Sequence, residues 1–441
     1  MLIAAITKLN SQSLFNTSSQ NHGIELGGFT RSGLFINKAD NDIGIPVVFA
    51  DLSLKAEAGD NVNYGAYADL RYRYAGEYGK AIDKLDLREA WAAWYTPYSE
   101  FKAGKQIIKW SRMDFFSLQD MISPRNDLYR SFDPSDKDLA NLSISLSLNP
   151  SQNISIETVL IPSYRPSVVY TDFMDIPPPV EIKEINANDY SSVSYGVRAA
   201  FFFRNFSAGI SYFDGYNLLP GIGIDSVIIS NSSPALMLKE KTYETRVLGA
   251  DFEILLGKNI IRAEGRWSDP DDNYRDKEYV KLPDIQCAAG IERFFGDFRV
   301  IAEYSWKYLL DYEKPVAEPG FPDESAFQQI FTLPPAQISE LSRQQLASFN
   351  RLYNYQVEES SHYAGISLGW EKRNALFKPS LSVIYNITAG EYMLQPVLET
   401  EPADNIDIIL GAEIYNGVSN SLFDMINDEL SSVFAGIRVD F

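Results

Sequence analysis

Residues 431–441 read SSVFAGIRVDF. In an extended chain successive side chains point to opposite faces. Val433, Ala435, Ile437, Val439 and Phe441 therefore share one face, and Ser432, Phe434, Gly436, Arg438 and Asp440 share the other. The first face is apolar throughout. The second carries full charges. A strand of this kind is half apolar and needs a different medium on each side.

The same period of two recurs along the chain. Ile406, Ile408, Leu410, Ala412 and Ile414 oppose Asp407, Gly411 and Glu413. Leu142, Ile144, Leu146 and Leu148 alternate with Ser143, Ser145 and Ser147. Phe298, Val300, Ala302, Tyr304 and Trp306 alternate with Arg299, Glu303, Ser305 and Lys307, and Ile261, Ala263, Gly265 and Trp267 with Arg262, Glu264 and Arg266. A soluble sandwich would alternate too. The segments here run to about 9–12 residues, the length of a tilted strand crossing a bilayer rather than the usual soluble strand of about 5 or 6. Their polar faces hold many full charges, as a wet lumen requires.

Eighteen strands are expected, at 23–36, 47–58, 62–75, 84–95, 99–109, 140–148, 153–161, 193–204, 206–214, 243–256, 259–267, 284–295, 297–308, 361–371, 376–388, 391–400, 405–415 and 431–441. Strand 84–95 alternates poorly, because Leu87-Arg88-Glu89-Ala90-Trp91 can be phased either way. Tight connections such as Thr96-Pro97-Tyr98, Gly257-Lys258 and Gly296-Asp297 alternate with long ones at 110–139, 162–192, 215–242, 268–283, 309–360 and 416–430. One short exception on the long-loop side is expected, at Ala389-Gly390. Short turns at one end and long loops at the other are the layout of an outer-membrane barrel, with both termini on the periplasmic, short-turn side. The expected fold is thus all-β: one transmembrane antiparallel β-barrel over 23–441, in a Gram-negative outer membrane. Residues 1–22 read as a loose leader. Met1 to Ile6 is too short for a signal peptide, so the numbering reads as that of a mature or trimmed chain.

Composition agrees. Of 441 residues 45% are hydrophobic, which excludes wholesale disorder. Mean hydropathy is −0.18 and no stretch of 18 apolar residues occurs, which excludes a bundle of membrane helices. The single Cys287 excludes intrachain disulfides and cysteine-rich zinc sites; it is expected to face lipid as a small apolar filler. A net charge of −20 without a basic block excludes a nucleic-acid binder. Aromatic residues reach 13%. Trp94, Tyr95, Phe203, Phe206, Phe294, Phe295, Trp370 and Phe377 fall near tight turns, and Tyr72, Tyr74, Tyr212 and Tyr308 near the long loops, where interfacial rings belong. The terminal Phe441 resembles the C-terminal signature read by the bacterial outer-membrane assembly machinery.

Residues 87–134 read LREAWAAWYTPYSEFKAGKQIIKWSRMDFFSLQDMISPRNDLYRSFDP. Leu87, Arg88, Glu89, Ala90, Gly104, Lys105, Gln106, Trp110, Ser123, Pro124 and Arg125 match a motif that resembles the outer-membrane porin superfamily of alginate-export type and its uncharacterised relatives. The likeness covers about 50 residues; elsewhere only the layout agrees. It implies an 18-stranded channel. Ser111 stands where the family often has Gly after Trp, and the arginine-dense lumen of an alginate exporter is not evident, so alginate itself is not implied.

A barrel of this size encloses water unless something fills it. Segment 110–139 is the expected constriction, with Lys109, Arg112, Asp114, Asp120, Arg125 and Arg130. Opposed charges there would sieve solutes by size and charge. Arg262, Glu264, Arg266, Arg299 and Glu303 are expected on the lumen wall, together with Asp69, Arg71, Arg73 and Arg198. They form either a ladder for anionic or polar solutes or cross-strand pairs stiffening the wall. Segment 309–360 is a second plug candidate, with a short helix over 335–355. Prolines 162, 166 and 177–179 stiffen 162–189. The acids of 269–276 read as solvated, since their spacing is not that of a calcium loop.

Only His22 and His362 exist, and no GxSxG, P-loop, HExxH or dinucleotide fingerprint is present. An enzyme is not expected, nor any cofactor or metal. The expected partners are outer-membrane lipid and lipopolysaccharide and small polar solutes. The alternatives are a barrel scaffold gripping a secreted protein or surface lipoprotein through its long loops, and a hydrolase at the rim around His362.

Overall fold

In the computed structural model the described residues are 23–39, 42–60, 62–169, 180–228, 235–317, 333–372, 375–419 and 421–441. The strands are β1 (Ile24–Ala39), β2 (Asp42–Gly59), β3 (Tyr64–Glu77), β4 (Lys80–Thr96), β5 (Ser99–Gln106), β6 (Asn141–Ser151), β7 (Ile154–Ile161), β8 (Val180–Lys183), β9 (Ser194–Phe202), β10 (Phe206–Tyr216) and β11 (Gly221–Ile228). There follow β12 (Ala235–Lys241), β13 (Glu244–Leu256), β14 (Asn259–Pro270), β15 (Asp284–Phe295), β16 (Phe298–Leu309), β17 (Ser360–Trp370), β18 (Phe377–Asn386), β19 (Glu391–Ala403), β20 (Ile406–Asn416) and β21 (Ser432–Asp440). Two α-helices accompany them, α1 (Pro335–Tyr353) and α2 (Leu422–Leu430).

All strands but β8, β11 and β12 form one 18-stranded sheet, each paired antiparallel with its neighbour in sequence. The sheet closes where β21 meets β1, from Phe29 opposite Asp440 to Ile36 opposite Val433. The barrel has no free edge, so every wall strand has its backbone paired on both sides. A wall surrounded by hydrocarbon must meet this condition.

The two faces invert the order of a soluble protein. Leu142 is 53% exposed on the outside, whereas its neighbour Ser143 is 1% exposed within. Arg31, Asp51, Asp69, Arg71 and Arg73 are likewise buried inside, while Leu52, Leu54, Tyr72 and Tyr74 are exposed outside. Among the described residues no helix is long and apolar enough to cross a membrane.

All 18 expected strands form, with edges shifted by a few residues. Three departures have identifiable causes. First, β4 contains a bulge: Asp69 pairs with Glu89 but Leu70 pairs with Leu87, leaving Arg88 over. An extra residue reverses the phase of the strand, which is why 84–95 reads both ways in sequence. Second, β5 stops at Gln106 instead of 109, because the next N–H groups leave the ladder: Ile107 donates to Glu89 and Ile108 to the Ser123 hydroxyl. Third, Ala389-Gly390 is not the one short connection on the long-loop side. β3 joins β4 through Tyr78-Gly79, both with positive φ, and β1 pairs with β2 up to Ala39 and Asp42.

The small sheet was not foreseen. In it β12 pairs antiparallel with β11 and parallel with β8. Val180, Ile222, Leu236 and Leu238 from the sheet bury against Leu346, Phe349 and Tyr353 of α1. The Asn350 side chain accepts from the Ile222 N–H at 2.8 Å and donates to the Ile222 and Glu278 carbonyls at 2.8 and 2.9 Å. The helix expected over 335–355 is thus present, as part of a cap built from four long connections. The expected leader 1–22 and Pro177, Pro178 and Pro179 lie outside the described residues.

Candidate functional site

The segment between β5 and β6 turns into the barrel. Its entry is set by the motif around β4. The bulge turns both Arg88 and Glu89 inward. Glu89 accepts from the Ile107 N–H at 3.0 Å, at the start of the segment. Arg88 donates to the Ser135 carbonyl at 2.6 Å, near its end. Gly104 has φ of 139° and stands so close to β4 that a Cβ there would collide with Ala90 and Trp91. Ser123 accepts from the Ile108 N–H and donates to its carbonyl, at 2.8 and 3.1 Å, pinning the two limbs of the loop together. The Trp110 indole donates to Glu157 at 2.9 Å, and its ring packs over Gly196 of β9.

Two wall carboxylates hold the middle of the loop by its backbone. Glu264 of β14 accepts from the N–H groups of Arg112 at 2.5 Å and Leu118 at 3.0 Å, and from the Ser111 hydroxyl at 2.9 Å. Glu303 of β16 accepts from the N–H groups of Asp114, Phe115 and Phe116 at 2.7, 2.9 and 3.2 Å. Bonds to an ionised acceptor are roughly twice as strong as neutral ones. The loop is therefore tied to the far wall by charge.

The last third docks on β1–β3. Asp133 caps a short turn over Pro134–Lys137, accepting from the Ser135 N–H. Within that turn Asp136 meets Arg31 and Arg71, each at 2.6 Å, and Arg88 at 3.7 Å. Burial raises the Asp136 pKa, but the charges of Arg31 and Arg71 outweigh it and hold this carboxyl well below the usual range. Arg31 also pairs with Asp51 at 2.7 Å, and Asp51 with Arg73 at 3.1 Å. Phe132 fits an aromatic box, with ring centroids 5.9 Å from Phe35, 5.4 Å from Phe49 and 5.7 Å from Phe434. Inward glycines make room for it: a side chain at Gly33 or Gly436 would strike the Phe132 ring.

The expected site residues fall into four groups. Arg112, Asp114, Asp120, Arg262, Glu264, Arg299 and Glu303 come together. Arg112 pairs with Asp251, and Arg262 with Asp114, Glu253 and Glu292 at 3.0, 3.0 and 2.7 Å. Arg299 reaches Glu292 at 2.7 Å. Asp120 accepts from the Trp110 and Ser111 N–H groups, both at 2.9 Å. Burial pushes the Asp114 carboxyl above its usual value, against the pull of Arg262 and Arg299. Lys109 and Arg125 form a second group around Asp138. Arg130 stands apart against Glu413, with Tyr78 accepting from its Nε at 3.1 Å. Arg266 lies under the cap, 3.8 Å from Asp284, which Lys281 also approaches at 3.7 Å. Burial pushes the Lys281 amine down to about 8.

Of the two open readings of the wall charges, pairing describes the geometry. Arg71 lies 3.6 Å from Asp69, Arg73 meets Asp51, and Arg198 meets Asp251 at 2.9 Å. Sequence reasoning missed Arg31, Glu89, Asp251, Glu292 and Glu413 as loop or wall partners. The usable signal was glycine at inward strand positions: Gly33, Gly196, Gly249, Gly365 and Gly436 each leave room for a loop side chain, namely Phe132, Trp110, Gln119, Phe115 and again Phe132.

At the rim, His362 faces outward. The Tyr304 hydroxyl lies 2.6 Å from its Nδ1, and Ser360 Oγ is 3.4 Å from its Nε2 while accepting from the Trp306 indole at 2.9 Å. Cys287 is exposed on the outer face, as expected. The outside is an apolar belt with aromatic rings toward its ends. Trp94, Phe203, Phe295, Phe298 and Phe377 are exposed at the tight-turn end, and Tyr72 and Tyr74 toward the other. Tyr95, expected in the first row, takes the opposite face from Trp94, since neighbours on a strand alternate. This apolar surface with girdled ends is the exterior of a bacterial outer-membrane barrel.

The fold is that of a porin. Three solved structures share it over nearly their whole lengths. OccAB3 of Acinetobacter baumannii matches with a TM-score of 0.53 at 10% identity, covering 95% of this chain and 99% of that one. OccK5 (OpdH) of Pseudomonas aeruginosa matches with 0.53 at 8% identity, covering 96% and 99%. OpdK of Pseudomonas aeruginosa, solved with vanillate, matches with 0.53 at 7% identity, covering 95% and 98%. No family model matches the chain, nor does any curated protein. At such identities the likeness is one of fold.

Proposed function

We propose that the protein is an outer-membrane channel through which small polar or charged solutes diffuse passively, and that the loop between β5 and β6 narrows its lumen. The observation that carries this reading is the anchoring of that loop across the barrel interior, from Glu264 and Glu303 on one wall to Arg31 and Arg71 on the other. A loop fixed at both walls is a constriction of set width, not a flap. Arg112, Asp114 and Asp120 on the loop and Arg262, Glu264, Arg299 and Glu303 on the wall stand together as constriction charges, joined by Lys109 and Arg125 beside Asp138, while Arg130 against Glu413 and Arg266 under the cap stand apart. Among them Lys109, Asp114 and Arg125 keep the largest exposed side-chain surface and are the groups a passing solute meets. Glu264 and Glu303 act indirectly, by fixing the loop.

The apolar belt stands in lipid and lipopolysaccharide, with the start of β1 and the end of β21 on the periplasmic side. The structure of OpdK with vanillate supports a small organic solute here. The likeness of residues 87–134 to alginate-export porins rests on that motif, and its residues act here in folding the loop inward. Purified protein in planar bilayers is expected to give stepwise conductance; its absence would sink the channel.

A second reading is favoured by the cap, whose separate apolar core gives the long loops a stable shape. A scaffold for a secreted or surface protein would show no conductance and would co-purify with its partner. The Ser360–His362 pair is the remaining enzymatic candidate. We take it as an interfacial hydrogen-bond pair, and hydrolysis of a lipid ester lost in His362→Ala would overturn that assignment.

A further inference from the structure

At the long-loop end a cavity of 240 Å³ opens on the inner side of the barrel, where the end of α1 meets β17, β18, β19 and the segment before α2. Leu352, Val418 and Leu422 give it apolar walls, and the rings of Tyr355 and Tyr363 line it together. Those rings meet edge to face, 6.0 Å apart at 87°. Tyr355 is held there by a positive φ of 52° and by its N–H, which donates to the Leu352 carbonyl at 3.0 Å.

The charged groups lining the cavity are both acids, Glu358 and Glu391. Glu391 is 1% exposed. One of its oxygens accepts from the Asn386 amide at 2.8 Å and the other from the Phe423 N–H at 3.0 Å. An ionised carboxylate has about four acceptor sites, so two are left for an occupant. Among the described residues no lysine or arginine lines the cavity. Lys307 lies 5.9 Å from the Tyr355 ring and donates to the Asn354 carbonyl at 2.9 Å, outside the lining. Two phenol rings, two carboxylates and no lining cation make a place that rejects anions and attracts positive charge through ring faces and carboxylates alike.

Size narrows the class. A cavity of about 150 Å³ holds benzene, so this one takes a single ring with a short substituent. We propose that it is a binding site for a small organic cation of one-ring size, such as a protonated arylalkylamine. Its occupant would lie beside the inner loop, because the far side of Tyr363 packs on Phe116 with centroids 6.1 Å apart. The site thus holds acids without a lining cation, whereas the passage below it pairs its carboxylates with arginines.

The test uses the full chain in detergent micelles, with benzylamine as probe and benzoate and benzyl alcohol as size-matched controls. Binding is read by saturation-transfer NMR, as the difference from a Val418→Trp variant that fills the cavity, which cancels partition into micelles. Benzylamine is expected to bind at least about tenfold more tightly than benzoate, and Tyr355→Leu to weaken it about three- to tenfold, the size of a partly desolvated cation–π contact. Should Tyr355→Leu fail to fold, Glu358→Gln, at an exposed residue, is expected to weaken benzylamine and leave benzyl alcohol unchanged. Equal binding of benzoate, or benzylamine binding that survives Val418→Trp, would overturn the proposal. The readout is binding and not current, so a sealed lumen would leave it standing.

Discussion

The loop inside the barrel and the cap above it are held by opposite means. The inner loop is fixed by carboxylates and guanidiniums: Glu264 and Glu303 on its backbone, and Arg31 and Arg71 on Asp136. Phe132, the Trp110–Ile122 cluster and the pair Met113 and Leu118 are its apolar seats. The cap is held by Ile222, Leu236, Leu238, Leu346 and Phe349, and its pairs Lys183–Asp225 and Lys239–Asp189 lie exposed at the surface. The difference follows from strand alternation. A wall that gives its apolar side chains to lipid has mostly polar ones left for the lumen, so what docks inside is tied largely by charge. A cap clear of the wall can build a core of its own.

The comparison can be broken at several points. The largest effect is expected from Asp136→Ala, which leaves Arg31 and Arg71 buried without their shared partner. Removing one partner of a buried ion pair costs about 3–5 kcal/mol. Limited proteolysis should then cut within 107–140, while the heat-modifiable gel shift of the closed barrel persists. Phe349→Ala should cost the cap about 3–5 kcal/mol as a cavity. Hydrogen exchange at Leu236 and Leu238 should speed up, with barrel strands unaffected. A cap mutation that released the inner loop would show that the two are one unit. Glu303→Gln should be milder, about 1.5–3 kcal/mol, since it removes the charge from an acceptor of three N–H groups. Added current noise without a change in mean conductance would register it.

The smallest effects come from pH: both regions gain stability as pH rises, but in separate windows. Asp136 has its folded pKa depressed, so its contribution is present above the ordinary carboxylate value near 3.8 and is lost as pH falls below it. The inner loop should loosen on the acid side. Lys281, at the junction of cap and wall, is lowered from 10.5 to about 8. Folding disfavours its charged form, so stability should rise as pH climbs from about 8 toward 10.5. Hydrogen exchange in 271–283 should therefore slow with pH more than its intrinsic acceleration allows for.

The wall was legible in the sequence because each strand carries its instructions in its own alternation. Residues 142–148 suffice to place Leu142 outside and Ser143 inside. The inner loop's direction was legible from its length and motif, but its partners were not. Arg130 finds Glu413, which is 283 residues away, and no local pattern encodes such a pairing. Phe434, on the charged face of the last strand, turned out to be a wall of the Phe132 box. The Arg88 bulge hid because one extra residue merges two valid phases. The small sheet hid because β8 is four residues long and its partners lie more than 50 residues away in sequence.

The central claim is that the loop between β5 and β6 sets the width of a water-filled passage. Single-channel conductance of the protein lacking residues 111–136, compared with the intact chain in the same bilayer and salt, tests it most directly. The deletion should raise conductance at least about twofold and weaken any preference between small cations and anions. Unchanged conductance and selectivity in a correctly closed barrel would contradict it.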